Sequence, residues 1–131
     1  MSIFFLSFVF SKSFLYELGR TCRLLRHLNL SNCHLKTIPD PVFGLLDLTV
    51  LILGEADNVT NPRADECDDN TIYKLPERLL DLKWLVKLDA PNVMLLELPC
   101  SIGCCKGLTH LDVHSNSVSL KRLMKYILIY G

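Results

Sequence analysis

Cys100, Cys104, His110 and His114 bring four potential metal ligands into one short stretch. The pattern C-x3-C followed by H-x3-H has the composition of a zinc set. A zinc finger separates its two pairs by roughly 12 residues, whereas only five intervene here. His110 and His114 also fall in a segment that reads as a strand, where residues four apart stand roughly 13 Å from each other. Bonds of about 2 Å to one zinc ion do not span that gap. The acidic run Asp65, Glu66, Asp68 and Asp69 lacks the alternating ligands and turn glycine of a calcium loop, so a solvated loop is expected there. No G-x-S-x-G, phosphate-binding glycine loop, H-E-x-x-H or kinase signature occurs in the sequence. The expectation is no enzyme, no metal and no other cofactor.

Composition narrows the class further. The 131 residues suffice for one domain with a core. Fourteen basic residues balance fourteen acidic ones, without the basic surplus of a dedicated nucleic-acid binder, so no nucleic-acid partner is expected. The apolar run Ile3–Phe10 is eight residues long, where a membrane-spanning helix needs roughly 20; no membrane insertion is expected. That run resembles the apolar part of a secretory signal, but no basic residue precedes it and no clear cleavage site follows. An apolar first strand or cap on the end of the domain is the preferred reading.

Twenty-seven of the residues are leucine, and they repeat. Three apolar-proline steps anchor the frame: Ile38-Pro39, Leu75-Pro76 and Leu98-Pro99. Apolar residues recur at fixed offsets after each proline, ending in Leu48, Leu51 and Leu53, then Leu85, Leu88 and Ala90, then Leu108, Leu111 and Val113. Leu25, Leu28 and Leu30 belong to an earlier copy, with Cys22 in the column of Leu45, Leu82 and Cys105. The step from Leu25 to Leu48 is 23 residues, as is that from Leu85 to Leu108, but Leu48 to Leu85 is 37. The 14 surplus residues are placed between Leu53 and Leu75, in the polar, acidic stretch EADNVTNPRADECDDNTIYK, read as a surface loop.

The pattern L-x-x-L-x-L-x-x-[N/C]-x-L stands at Leu25, Leu28, Leu30, Cys33, Leu35 and again at Leu108, Leu111, Val113, Asn116, Val118. It resembles the leucine-rich repeat proteins. The 23-residue unit with its Leu-Pro step is similar to the intracellular scaffold branch of Scribble, Erbin and the Ras-pathway scaffolds. The resemblance implies an α/β solenoid, with a parallel sheet on the concave face and short helices or turns on the convex face. It also implies a protein partner, with a small GTPase or a phosphatase subunit as examples, and a cytoplasmic signalling or polarity scaffold. The alternatives are an ectodomain of a secreted or cell-surface repeat receptor and the repeat segment of a larger kinase or immune receptor. The sequons Asn29-Leu30-Ser31 and Asn58-Val59-Thr60 bear only on the extracellular alternative.

The same pattern has a physical reading. Leu-x-Leu is a strand of period two, with Leu28 and Leu30 inward and His27, Asn29 and Ser31 outward. The Asn column lies where the chain turns off the strand, and an inward amide there answers backbone groups of adjacent coils. Asn116 suits this role, Cys33 stands in for it, and Ala56 and Val93 break the ladder, leaving Asn58 or Asn92 as substitutes. Proline, lacking an N–H, starts the short convex turn. Cys22, Cys33 and Cys105 therefore replace interior residues, which favours six reduced thiols over three disulfides. The expected organisation is residues 1–21 as an apolar cap or irregular segment, 22–118 as repeats, and 119–131 as a helical tail with Leu120, Met124, Ile127 and Leu128 on one side.

Stacking predicts the exposed face in columns. His27, Val50, Lys87 and His110 form one, Asn29, Ile52, Asp89 and Asp112 the next, and Ser31, Gly54, Pro91 and His114 a third. Within this face, His27, Asn29, Val50, Ile52, Lys87, Asp89, His110, Asp112 and His114 are the candidate partner-binding residues. Val50 and Ile52 are read as apolar anchors, with Lys87, Asp89 and Asp112 giving orientation.

Overall fold

Each Leu-containing step forms a three-residue strand whose central side chain turns inward. A computed structural model of the chain describes residues 3–5, 12–55 and 70–119. Its strands are β1 (Ile3–Phe5), β2 (His27–Asn29), β3 (Val50–Ile52), β4 (Lys87–Asp89) and β5 (His110–Asp112), and helix α1 spans Lys12–Thr21. The strands pair in chain order into one five-stranded, all-parallel sheet. Leu28 stands beside Leu51, Leu51 beside Leu88, and Leu88 beside Leu111, in the register expected from the repeat. Parallel neighbours need a crossover between them; α1 lies in the one between β1 and β2, and those leading into β3, β4 and β5 each contain a short helical turn.

The prolines open these turns. Pro39, Pro76 and Pro99 are extended and precede the 3-10 helices Asp40–Gly44, Glu77–Asp81 and Cys100–Cys104. Their carbonyls accept the N–H of Val42, Leu79 and Ile102, residues whose side chains are buried. A fixed proline φ and an N–H that no ladder needs make this the least costly place to turn. Helix α1 lies beside the first of these turns, in the same row. The contact is close: a Cβ on Gly19 would stand 2.8 Å from the Pro41 carbonyl oxygen. The segment expected as a cap or irregular lead-in thus contributes a strand and a helix; residues 6–11 lie outside the described residues, as do 120–131 of the expected helical tail.

The interior is a column of leucines per strand position. Leu45, Leu48, Leu51, Leu53, Leu75, Leu79 and Leu88 have no solvent exposure. Burying one such side chain contributes about 1.5–3 kcal/mol, so the shared interior is the main stabilising term. Burial loosens at the last described coil, where Leu111 is 37 % exposed and Leu108, Val113 and Val118 are half-buried.

The inserted loop is shorter than the composition of its neighbourhood suggests. Asn70 and Ile72 are buried, and Lys74 pairs with Glu97 across a parallel bridge, so residues 70–74 belong to the coil. Removing the 14 residues 56–69 brings Asn70 to the position Ala56 holds in the uninterrupted count. Asn70, and neither Ala56, Asn58 nor Asn92, fills the Asn column. Asn58 lies outside the described residues, and Asn92 adopts φ 53° in the turn, donating its backbone N–H to the His114 carbonyl.

The Asn70 side chain joins two coils. Its Oδ1 accepts the N–H of Cys33 at 3.2 Å and of Leu35 at 2.8 Å, while Nδ2 donates to the Leu30 and Leu53 carbonyls at 2.7 and 2.6 Å. Asn116 repeats the arrangement, accepting from Val93 and Leu95 and donating to the Ala90 and Val113 carbonyls. Replacing Asn70 with Ala strands four buried backbone groups, each worth about 1–3 kcal/mol when left unsatisfied. Partial relaxation brings the expected loss to about 3–4 kcal/mol, read as a lower denaturant midpoint. Asn116→Ala should cost less, because water reaches that half-buried site. Equal, small losses in the two variants would remove the amide from its bridging role.

Candidate interaction face

The strand side chains that turn away from the leucines form two columns. Parallel register sets His27 beside Val50, Lys87 and His110, and sets Asn29 beside Ile52, Asp89 and Asp112. In β2, β3 and β4 these positions are half-buried and flank a buried centre, whereas His110 is exposed. Lys87 Nζ sits 2.9 Å from Asp89 Oδ2 on the same strand. His110 Nδ1 lies 2.8 Å from Thr109 Oγ1. The Nδ1 of His27 is buried without a hydrogen-bond partner. The columns therefore present an imidazole, an aliphatic side chain, an ion pair and a second imidazole in sequence across the sheet.

Strand ends explain which polar groups stay available. Asn29 Oδ1 accepts both the backbone N–H and the hydroxyl of Ser31, at 2.9 and 2.7 Å, closing a local turn. Asp112 does the same with the N–H of His114 at 3.1 Å, and also holds the His114 ring. Side-chain oxygens bonding two residues ahead are the ordinary chemistry of Asn and Asp at turns. Asp89 occupies the same column but meets Pro91 two residues on, which has no N–H to give. Its carboxylate is left for Lys87.

The third expected column is not a free surface. Ser31 is 4 % exposed, its hydroxyl hydrogen-bonded to Glu55 Oε1 at 2.9 Å as well as to Asn29. Gly54 and Pro91 are buried against each other, and a Cβ on Gly54 would stand 1.9 Å from the Pro91 carbonyl oxygen. Of that column only His114 remains exposed. Strict alternation made Ser31 outward, but the strand ends at Asn29 and alternation ends with it.

The other candidates separate. His110 and His114 each take a different neighbour, Thr109 and Asp112. Among the described residues no three His, Cys, Asp or Glu gather as a metal set. Cys33 is buried and its thiol donates to the Ser31 carbonyl, Cys22 and Cys105 are half-buried, and Cys100 and Cys104 are exposed; all five are free thiols. Burial raises the pKa of the Cys105 thiol, with the neighbouring Cys104 adding to the effect. The acidic run Asp65 to Asp69 and the Asn58 sequon lie outside the described residues. Asn70 is the residue that sequence reasoning passed over: subtracting the surplus directly after Glu55 restores the Asn column.

No family model matches the chain. No curated protein matches it either. Among solved structures it is similar to an LRR protein of Leptospira interrogans, at 22 % identity and TM-score 0.38, over 76 % of this chain and 34 % of that one. The chain thus spans about a third of the length of that structure.

Asp112 gives the face a pH signature. The N–H of His114, then the His114 ring, and more weakly Lys87 hold its carboxyl below the usual aspartate value. A carboxyl depressed in the folded state stabilises the fold above its unfolded pKa, and that contribution is lost as pH falls through the folded value. His114→Ala keeps the backbone bond and removes the ring, so the Asp112 carboxyl should titrate at higher pH than in the parent, as followed by carbon NMR. An unmoved titration would separate the two side chains.

Proposed function

We propose that this chain is a protein-interaction module, a leucine-repeat solenoid whose strand face is concave and binds a protein partner. The observation that carries the reading is the register itself: four successive coils align His27, Val50, Lys87 and His110 beside Asn29, Ile52, Asp89 and Asp112. Chemistry at a substrate needs groups converging on one atom, whereas these side chains spread along a sheet. A spread of half-buried aliphatic, charged and imidazole groups suits a macromolecular surface, where apolar contacts anchor and charges orient. Val50 and Ile52 supply the apolar part, and Lys87, Asp89 and Asp112 the charged part.

The proposal extends to a cytoplasmic scaffold in signalling or polarity. Support comes from Cys22, Cys33 and Cys105, thiols occupying interior or half-buried repeat positions as small apolar residues do. Small GTPases and phosphatase subunits are the partner classes the resemblance implies, and they are the first to test. Lys87→Glu combined with Asp112→Lys inverts two charges of the face while leaving every buried leucine in place. Partner binding should weaken by about tenfold or more, the effect of roughly 1.4 kcal/mol, with an unchanged circular-dichroism spectrum. Unaltered binding by a folded double variant would move the partner off this face.

A further inference from the structure

A second surface lies at the rim where each coil enters its strand. Equivalent hydrogen bonds place Arg26, Thr49, Val86 and Thr109 in one row, because the N–H of Thr49, Val86 and Thr109 each bonds to the carbonyl of the preceding member. The turns just before repeat likewise: Leu46, Lys83 and Lys106 donate their N–H to Gly44, Asp81 and Cys104 in turn. Arg23 holds the corresponding place one 23-residue step ahead of Leu46. The rim thus carries Arg23, Arg26, Lys83 and Lys106, all exposed, and among the described residues none of them is in an ion pair. By contrast Arg20, Lys74, Arg78 and Lys87 are each paired with a carboxylate.

The charge sits beside apolar surface. Trp84 is 67 % exposed and, with Arg26, Asp47 and Thr49, lines a depression of about 370 Å³. Asp47 also lines an adjoining groove of about 820 Å³ whose wall includes Arg23, Leu24 and Leu46, the two leucines 77 % and 60 % exposed. Tryptophan and arginine are the residue types on which protein contacts concentrate. A net charge of zero hides this segregation: four cations without an ion pair among the described residues stand beside exposed Trp84, Leu24 and Leu46.

We infer that this rim binds an extended, acidic protein segment with apolar side chains between its carboxylates. Three strand spacings separate the coils of Arg26 and Lys106, roughly 14 Å, which an extended peptide crosses with about four or five residues. Carboxylates meet the unpaired cations, and apolar side chains meet Trp84 and Leu24. Leu24 and Leu46, exposed beside the cations, favour protein over a phosphate polymer, since they meet the apolar side chains of a peptide and offer nothing to phosphates. The rim row adjoins the strand face, each member one residue ahead of His27, Val50, Lys87 or His110, but it presents side chains of its own, so this inference does not depend on the function proposed above.

Trp84 is the chain's sole tryptophan and reports on the rim directly. The test titrates the protein with a synthetic peptide alternating glutamate and leucine and follows Trp84 emission. A saturable blue shift that weakens with added salt is expected. Arg26→Glu combined with Lys83→Glu and Lys106→Glu should weaken binding by about tenfold or more. Lys36→Glu, an unpaired cation elsewhere, and the double variant of the strand face should both leave it unchanged. Circular dichroism establishes that the triple variant is folded, and anisotropy of a labelled peptide with Trp84→Ala gives a second reading of the same site. An equal response to a lysine-leucine peptide, or an undiminished response in the folded triple variant, would overturn the proposal. Tighter binding of polyuridylate or of phosphatidylserine vesicles would overturn it in favour of a nucleic acid or a membrane surface.

Discussion

A turn packed inside a protein has to answer its own backbone N–H and C=O groups, because no water reaches them. In this chain the answer is an asparagine side chain shared between two coils. Asn70 takes two N–H groups from the coil before it and gives its own amide hydrogens to carbonyls of both coils, and Asn116 does the same two coils later. An amide suits the task because it carries an acceptor and two donors on one rigid plane. The leucines supply most of the stabilising free energy, but they are tolerant of sliding. The amide is not, since its bonds exist in one register only. Within each pair of coils joined in this way, the strand face inherits its alignment from that match.

Much of this was legible before any coordinates, and the reason is periodicity. Apolar residues at fixed offsets from Pro39, Pro76 and Pro99 specify which residue of each coil faces which neighbour, so the pairing of His27, Val50, Lys87 and His110 followed from counting alone. What escaped the count was the edge of the insertion. Its length is set by the difference between 37 and 23, but its placement is not, because no leucine lies between Leu53 and Leu75 to mark the seam. The seam is marked instead by a polar requirement, the need for an amide in the turn. Only Asn70 meets it once residues 56–69 are set aside.

Ser31, Gly54 and Pro91 escaped for a different reason. Alternation is a property of extended backbone, and the strands here are three residues long. One residue past the strand the chain is already turning, and the positive φ of Asn32, His34, Asn92, Met94 and Ser115 records how sharply. A side chain there points wherever the turn sends it. Gly54 is the extreme case, because its missing Cβ is what lets the Pro91 carbonyl approach. Period-two reasoning holds for Asn29 and Ile52 and lapses at the next outward position.

The spacing of the bridging amides has a consequence for how the coils are joined. The column reads Cys33, Asn70, Val93, Asn116, so every second coil supplies an amide and each amide reaches back to the coil before it. Coils ending in Cys33 and Asn70 are therefore stapled as one pair, and those ending in Val93 and Asn116 as another. Between the pairs the described residues show no amide shared as Asn70 and Asn116 are; the contact includes backbone bonds such as Leu53 N–H to the Asp89 carbonyl and Ile72 N–H to the Val93 carbonyl. It also rests on the near approach of Gly54 to Pro91. Apolar contact and ladder bonds are each weaker guides to register than a four-bond amide. The exposed columns cross this seam between Val50 and Lys87 and between Ile52 and Asp89, so the strand face is continuous only while the two pairs stay in step.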